Sequence, residues 1–156
     1  MHIHVIAIGQ KMPDWVETAY ADFIRRMPPE IGVSLNMLPL IRRGKNPDIK
    51  RIVRDESRRL LDAAPAGAQL IVLDVRGRRI SSETLAAMMR DWLDTGRDIA
   101  FVIGGPDGLS EELLQRADLQ ISLSDLTFPH ALVRVMLVEQ LYRAWSILNG
   151  HPYHRA

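Results

Sequence analysis

The chain is 156 residues long, 47% hydrophobic, and carries a formal net charge of +1. That length suits a single domain, residues 1–156, with an ordinary core. The chain has no cysteine, which excludes disulfides, thiolate metal sites and a cysteine nucleophile. No apolar run approaches the ~20 residues of a membrane-spanning helix.

The opening residues Met1-His2-Ile3-His4-Val5-Ile6 lack a basic lead-in and a small-residue cleavage site, so they read as a first strand rather than a signal peptide; a cytoplasmic location is expected. That strand runs from Ile3 to Ile8 and ends at Gly9. Pro13 opens a helix with Trp15, Val16, Ala19, Tyr20, Phe23 and Ile24 on one stripe, and Pro28-Pro29 stops it. Val33 to Leu38 is a second strand. The loop Arg42-Arg43-Gly44-Lys45-Asn46-Pro47 is basic; Asn46 can cap and Pro47 can start the next helix, whose stripe is Ile49, Ile52, Val53, Leu60 and Leu61. Leu70 to Val75 is a third strand, closed by Gly77. A helix capped by Ser81 or Ser82 runs to Gly96. Ile99 to Ile103 is apolar throughout, as in a parallel strand buried on both faces. Ser110, followed by Glu111 and Glu112, opens a short helix, and Leu119 to Leu123 is a fifth strand. The last helix runs from about His130 to Leu148 and stops at Asn149-Gly150.

This alternation predicts an α/β fold with a mostly parallel sheet and flanking helices. Ligands in such sheets sit at the carboxyl ends of the strands, where the loops at 74–77, 104–108 and 123–128 converge. The last helix is apolar nearly all round, so it is expected to be covered on more than one side, by the sheet and by a second subunit. Arg143 can pair with Glu139 at i,i+4 or face a ligand.

Charge is unevenly distributed. Between Arg42 and Arg59 stand eight cations and three acids; between Glu83 and Asp118 stand eight acids and three arginines. The basic region is either a solvated helix face or the one face that meets phosphate. Gly104-Gly105-Pro106-Asp107-Gly108 has neither dinucleotide-fingerprint nor P-loop spacing. It is a tight turn, or a place where backbone approaches a ligand closely. Leu123, Ser124, Asp125, Leu126, Thr127 and Phe128 form either a polar turn or a loop whose backbone can bond an adenine edge while Leu123, Leu126 and Phe128 wall the ring. The five histidines form no metal set, so no metal is expected. The tail His151-Pro152-Tyr153-His154-Arg155 follows a helix stop and is expected to contribute little to the fold.

Taken together, several segments carry a resemblance. They are Lys11-Met12-Pro13-Asp14-Trp15-Val16, Arg43-Gly44-Lys45-Asn46, Ile103-Gly104-Gly105-Pro106-Asp107-Gly108-Leu109-Ser110, Leu123 to His130, Leu132-Val133-Arg134-Val135, Glu139 to Ile147, and the tail. In this order and spacing, over the whole chain, the sequence resembles the ribosomal RNA large-subunit methyltransferase H family of the knotted SPOUT methyltransferases, differing at variable positions such as Asp125 and Phe128. The resemblance implies a C-terminal deep trefoil knot and S-adenosylmethionine as cofactor, bound by Leu73, Gly104, Gly105 and Leu123 through Phe128. It implies as substrate N3 of a pseudouridine in the helix-69 loop of 23S rRNA in the ribosome. It also implies a homodimer in which one subunit's tail lies near the other's cofactor. On that view His130 or His154 is the candidate general base, and Arg143, Tyr153 and Arg155 place the nucleotide. Arg43, Lys45, Lys50, Arg54 and Arg58 offer the rRNA a basic face. Two other readings are a non-catalytic RNA- or ribosome-binding module with a knotted fold and an unrelated nucleotide-binding regulator.

Overall fold

The computed structural model describes residues 1–9 and 11–155. Strands and helices alternate along them: β1 (His2–Gly9), α1 (Asp14–Arg26), β2 (Gly32–Pro39), α2 (Ile49–Ala63), β3 (Gln69–Arg79), α3 (Ser82–Thr95), β4 (Ile99–Ile103), α4 (Glu111–Arg116), β5 (Leu119–Ser122) and α5 (His130–Leu148). A 3-10 turn, Pro152–Arg155, follows. The five strands form one sheet in the order β2-β1-β4-β3-β5, and every pairing is parallel.

Alternation along each strand divides the core into two layers. Ile3, Val5 and Ala7 of β1, Ile71 of β3 and Ile99, Phe101 and Ile103 of β4 pack against Leu85, Met89 and Trp92 of α3 and Leu137, Leu141 and Ala144 of α5. Ile6, Ile8, Val72, Ala100 and Val102 point the other way, onto Leu60 of α2 and Leu113 and Leu114 of α4. β4 is thus buried along its whole length, as its unbroken apolar run requires.

Local chemistry sets most of the helix ends. The Ser81 side chain accepts a hydrogen bond from the Thr84 amide at 3.0 Å, and Gly96 closes α3 in the left-handed region at φ 66°. Ser110 accepts from the Leu113 amide at 3.2 Å. At α2 the cap is Asp48, which accepts from the Arg51 amide at 3.1 Å. Neither Asn46 nor Pro47 serves there, because an equally good capping carboxylate lies closer to the apolar stripe.

One expectation about apolar surface needs correction. Trp15, assigned to the inner stripe of α1, is 60% exposed. Within the chain α5 packs against α1, α3 and the tail. Leu132, Val135, Met136, Ile147 and Leu148 are only partly buried within the chain.

Gly77 has a different role from the one its sequence context suggests. It does not close β3. Ile121 of β5 is paired with both Leu73 and Arg78 of β3, so residues 74–77 bulge out of the ladder and the strand then resumes. A Cβ on Gly77 would lie 2.6 Å from the Ile121 carbonyl carbon and 2.7 Å from its nitrogen. Backbone meets backbone here, and only glycine fits.

At the opposite end of the sheet the His2 and His4 rings lie 4.4 Å apart. Ser34 Oγ is 2.9 Å from His2 Nε2 and 3.4 Å from His4 Nδ1. Asp98 accepts from the His2 amide at 2.8 Å and lies 3.8 Å from His4 Nε2. Burial and the neighbouring His2 lower the His4 pKa, and Asp98 only partly opposes them. The folded state therefore binds this proton less readily than the unfolded state does. The contribution is fully present above the ordinary histidine range and is lost as pH falls through the lowered value. Melting temperature is expected to drop as pH is taken from 7 to 5, and His4→Gln should flatten part of that dependence. An identical pH slope in the variant would remove His4 from the account.

Candidate active site

The carboxyl ends of β3, β4 and β5 open onto a cleft of about 290 Å³. Leu73, Ile103, Ile121 and Val133 supply apolar wall. Backbone and small polar groups come from the 104–108 turn and the 123–128 loop. Of the residues assigned to cofactor binding from the sequence, Leu73, Gly104, Gly105, Leu123, Ser124, Leu126, Thr127 and Phe128 line this cleft, as does His130. Asp125 does not. Its carboxylate turns outward to an ion pair with Arg79.

The 123–128 loop is held by its own hydroxyls. Ser122 Oγ donates to the Ser124 carbonyl at 2.9 Å, and Ser124 Oγ accepts from the Leu126 amide at 2.9 Å. Both bonds are of the polar-turn kind. Leu126, 70% exposed, and Val75, 72% exposed, stand at the lips of the cleft as bare apolar side chains. The sequence places Val75 and its neighbour Asp74 in a loop converging on this end of the sheet but assigns neither a role. Burial raises the Asp74 pKa, but the Arg76 side chain and amide, at 3.1 and 2.8 Å, outweigh it and hold the carboxyl below its ordinary range. Asp74 is an anion at neutral pH.

The glycine turn is shaped from behind. A Cβ on Gly104 would meet the Leu109 side chain at 2.8 Å, and one on Gly105 would meet Glu56 Oε1 at 3.0 Å and Ile8 Cγ2 at 3.1 Å. Gly108 turns the chain at φ 84° and returns its amide to the Gly105 carbonyl at 3.1 Å. Gly104 and Gly105 are thus closely backed by side chains, and that packing presents the turn's backbone to the cleft. Burial and the nearby Arg134 cation lower the His130 pKa against a hydrogen bond to the Gly105 backbone. The imidazole is accordingly neutral at pH 7 and able to accept a proton. Arg134 is itself buried and donates from Nη2 to the Ile8 carbonyl at 3.2 Å.

Of the remaining predicted residues, Arg143 and Tyr153 form a second cluster, where the C-terminal half of α5 meets the tail. Glu139 Oε1 accepts from Arg143 Nε at 3.0 Å and Nη2 at 2.6 Å, and from the Tyr153 hydroxyl at 2.9 Å. The Arg143 guanidinium sits 5.1 Å from the centre of the Tyr153 ring. That ring packs against Tyr142 and Phe23, with centroids at 4.7 and 6.4 Å. Burial, followed by the Glu139 carboxylate, raises the Tyr153 pKa, so its hydroxyl remains a donor. The tail therefore does contribute to the fold, because its aromatic groups cap an aromatic cluster that one helix alone leaves open. His154 is half-buried and Arg155 exposed. Arg143, Tyr153, His154 and Arg155 are not among the cleft's lining residues. One chain holds two clusters that do not meet.

The basic region divides in the same way. Lys45, Lys50, Arg51, Arg54 and Arg58 are exposed, whereas Arg43 is turned inward. It donates to Glu56 Oε2 at 2.8 Å and to Asp107 Oδ2 at 3.0 Å. No group of His, Asp or Glu among the described residues is placed to hold a metal, and no described helix is long and apolar enough to cross a membrane.

A family model described as "Predicted SPOUT methyltransferase" matches residues 1–154. A protein of Thioalkalivibrio sulfidiphilus named ribosomal RNA large subunit methyltransferase H is 50% identical over 155 residues, 99% of each chain. One of the same name from Acidithiobacillus ferrooxidans is 52% identical, over 99% of this chain and 98% of its own. Among solved structures, a probable methylase family protein of Haemophilus influenzae superposes with TM-score 0.55 at 12% identity, over 95% of this chain and 66% of its own. Ribosomal RNA small subunit methyltransferase E of Neisseria gonorrhoeae, solved bound to S-adenosyl methionine, does so with TM-score 0.52 at 15% identity, over 93% and 67%. At these identities the two structures show the shared fold.

Proposed function

The chain belongs to the SPOUT methyltransferase family, and from that premise we propose that it methylates ribosomal RNA of the large subunit, with S-adenosylmethionine as methyl donor. Its target on this reading is N3 of a pseudouridine in the helix-69 loop of 23S rRNA, and it acts in the cytoplasm as a homodimer. One observation carries the proposal most directly. An open cleft at the carboxyl ends of β3, β4 and β5 is walled by backbone-rich loops, while the polar cluster suited to hold a nucleotide lies elsewhere in the same chain. A second copy that brings its tail to this cleft completes a site that one chain leaves divided. The family's trefoil knot belongs to the same proposal, and the passage of β5 across Gly77 supports it.

The residues present suit the donor. Leu73, Ile121 and Val133 offer apolar surface for an adenine ring. The backbone of 104–105 and 123–128, beyond the Gly105 and Ser124 carbonyls and the Leu126 amide already engaged within the turns, offers hydrogen-bonding edges, and the Asp74 carboxylate at the rim offers a negative partner. When bound, S-adenosylmethionine supplies an electrophilic methyl group. The chain's own task is alignment and handling of one proton. Arg143, Arg155 and Tyr153 orient the acceptor base. His130, neutral at pH 7, accepts the N3 proton directly or by way of water, with His154 of the tail as the other candidate. Lys45, Lys50, Arg54 and Arg58 meet rRNA phosphates.

Mass spectrometry of helix-69 fragments from a deletion strain should show one methyl group missing, restored when this chain is supplied. Calorimetry should give saturable S-adenosylmethionine binding by the purified protein. An unmethylated target in the complemented strain would refute the proposed substrate. A protein that binds ribosomes but not the donor would instead be a non-catalytic module.

A further inference from the structure

α2 has two unlike long sides. One carries the exposed cations Lys50, Arg51, Arg54 and Arg58. The other carries Glu56 and Ser57, each 1% exposed and placed among the apolar positions Ile52 and Leu60. Buried carboxylates are costly and require partners, and those of Glu56 are specific. Oε2 accepts from the Ile41 amide at 3.0 Å and from Arg43 Nη1 at 2.8 Å; Oε1 accepts from Arg43 Nη2 at 3.0 Å. The same guanidinium reaches Asp107 Oδ2 from Nε at 3.1 Å and from Nη2 at 3.0 Å, and its Nη1 also donates to the Ile41 carbonyl at 2.6 Å. Beside them, Ser57 Oγ accepts from the Ser110 amide at 2.9 Å. Gly105 rests against Glu56, with the Leu40 side chain also close behind it. The segment 105–110 is therefore held at its start, middle and end by two neighbouring side chains of α2 and one arginine of the basic loop.

We infer that Arg43, Glu56 and Asp107 are positioning residues for the methyl-donor cleft, and that Arg43 holds the glycine turn in register with α2 instead of contacting rRNA. Arg43 suits this task because a planar guanidinium can bridge two carboxylates in fixed geometry, which an ammonium cannot. The inference rests on the reading of the cleft as the donor site.

The test compares wild type with Arg43→Gln, Asp107→Asn, the double variant and Arg43→Lys. It measures S-adenosylmethionine affinity by calorimetry, affinity for a helix-69 RNA hairpin as a function of salt, and melting temperature. Arg43→Gln and Asp107→Asn should each weaken donor binding roughly tenfold, given the usual worth of charged hydrogen bonds. The double variant should be little worse than Arg43→Gln, and Arg43→Lys should fall between it and wild type. The slope of RNA affinity against salt should be unchanged in all of them. In the control, Lys50→Ala with Arg54→Ala, the slope should fall by about 2 while donor affinity stays at the wild-type value. Asp107 lies at the surface, so Asp107→Asn keeps the experiment readable if the Arg43 variants fold poorly. A lower melting temperature with wild-type donor affinity would make the cluster merely structural and overturn the inference. So would a salt slope reduced by about 1 in Arg43→Gln with donor affinity intact, since Arg43 would then be an rRNA contact. Wild type showing no saturable donor binding would instead sink the reading of the cleft itself.

Discussion

Deletion of residues 150–156 is expected to abolish rRNA methylation and also to lower the melting temperature. The stability loss follows from what the tail covers. Tyr153 donates to a carboxylate at 2.9 Å, a bond worth about 1.5–3 kcal/mol. Its ring contacts with Tyr142 and Phe23 add about 0.5–1.5 kcal/mol each. A total near 3 kcal/mol corresponds to a fall of roughly 6–12 °C in a chain of this size. The functional loss should be far larger, because misplacing reacting groups by about 1 Å costs on the order of 100-fold. Tyr153→Phe separates the two effects, since it removes only the hydroxyl and keeps the aromatic packing. Mixed dimers test where the tail acts. A tail-deleted subunit with an intact cleft should regain activity when paired with a tail-intact subunit carrying Gly104→Val. Full activity of the truncated homodimer would end the case for a site shared between subunits.

Gly77→Ala is expected to destabilise the protein by about 3 kcal/mol or more, at the upper end of overpacking effects. A side chain can rotate away from an intruding methyl group; the backbone of residues 120–121, paired within the sheet, cannot. Gly104→Ala makes a useful contrast. Its new Cβ meets chiefly the flexible Leu109 side chain, so its stability cost should be smaller. Chemical denaturation of the two variants would decide, and a near-neutral Gly77→Ala would mean that β3 and β5 approach each other less closely than described.

Periodicity was enough to place the sheet and its helices. Ile99 to Ile103 and the stripes of α3 and α5 carry strong local signals, and Ser81 and Ser110 cap where their side chains suggest. The cleft was legible for a related reason, since parallel strands send their loops to one end. Interactions between distant residues left no such trace. The Arg43–Asp107 pair spans 64 positions, and a basic loop looks the same whether its arginine faces solvent or a buried carboxylate. Glu56 carried a signal that went unused: it stands four residues from both Ile52 and Leu60, on the inward face of α2. Gly77 sits in a polar run that reads as a strand end, because a backbone crossing has no composition of its own. The tail looked dispensable because the aromatic cluster it joins is assembled from α1 and α5, far apart in the chain.

The strand order also constrains how the protein can be made. Leu137, Leu141 and Ala144, which close the larger core layer, lie on α5, the last long element of the chain. Roughly 40–50 residues must still be synthesised after β4, which at about 5–20 residues per second takes several seconds. During that interval one face of β1, β3 and β4 has only the cover that α3 gives it. The sheet must then admit β5 beside β3, past residue 77, before α5 can dock. Folding should therefore finish only once α5 is available, and slowly for a domain of this size. The nascent chain is a natural client for chaperones that shield apolar strands.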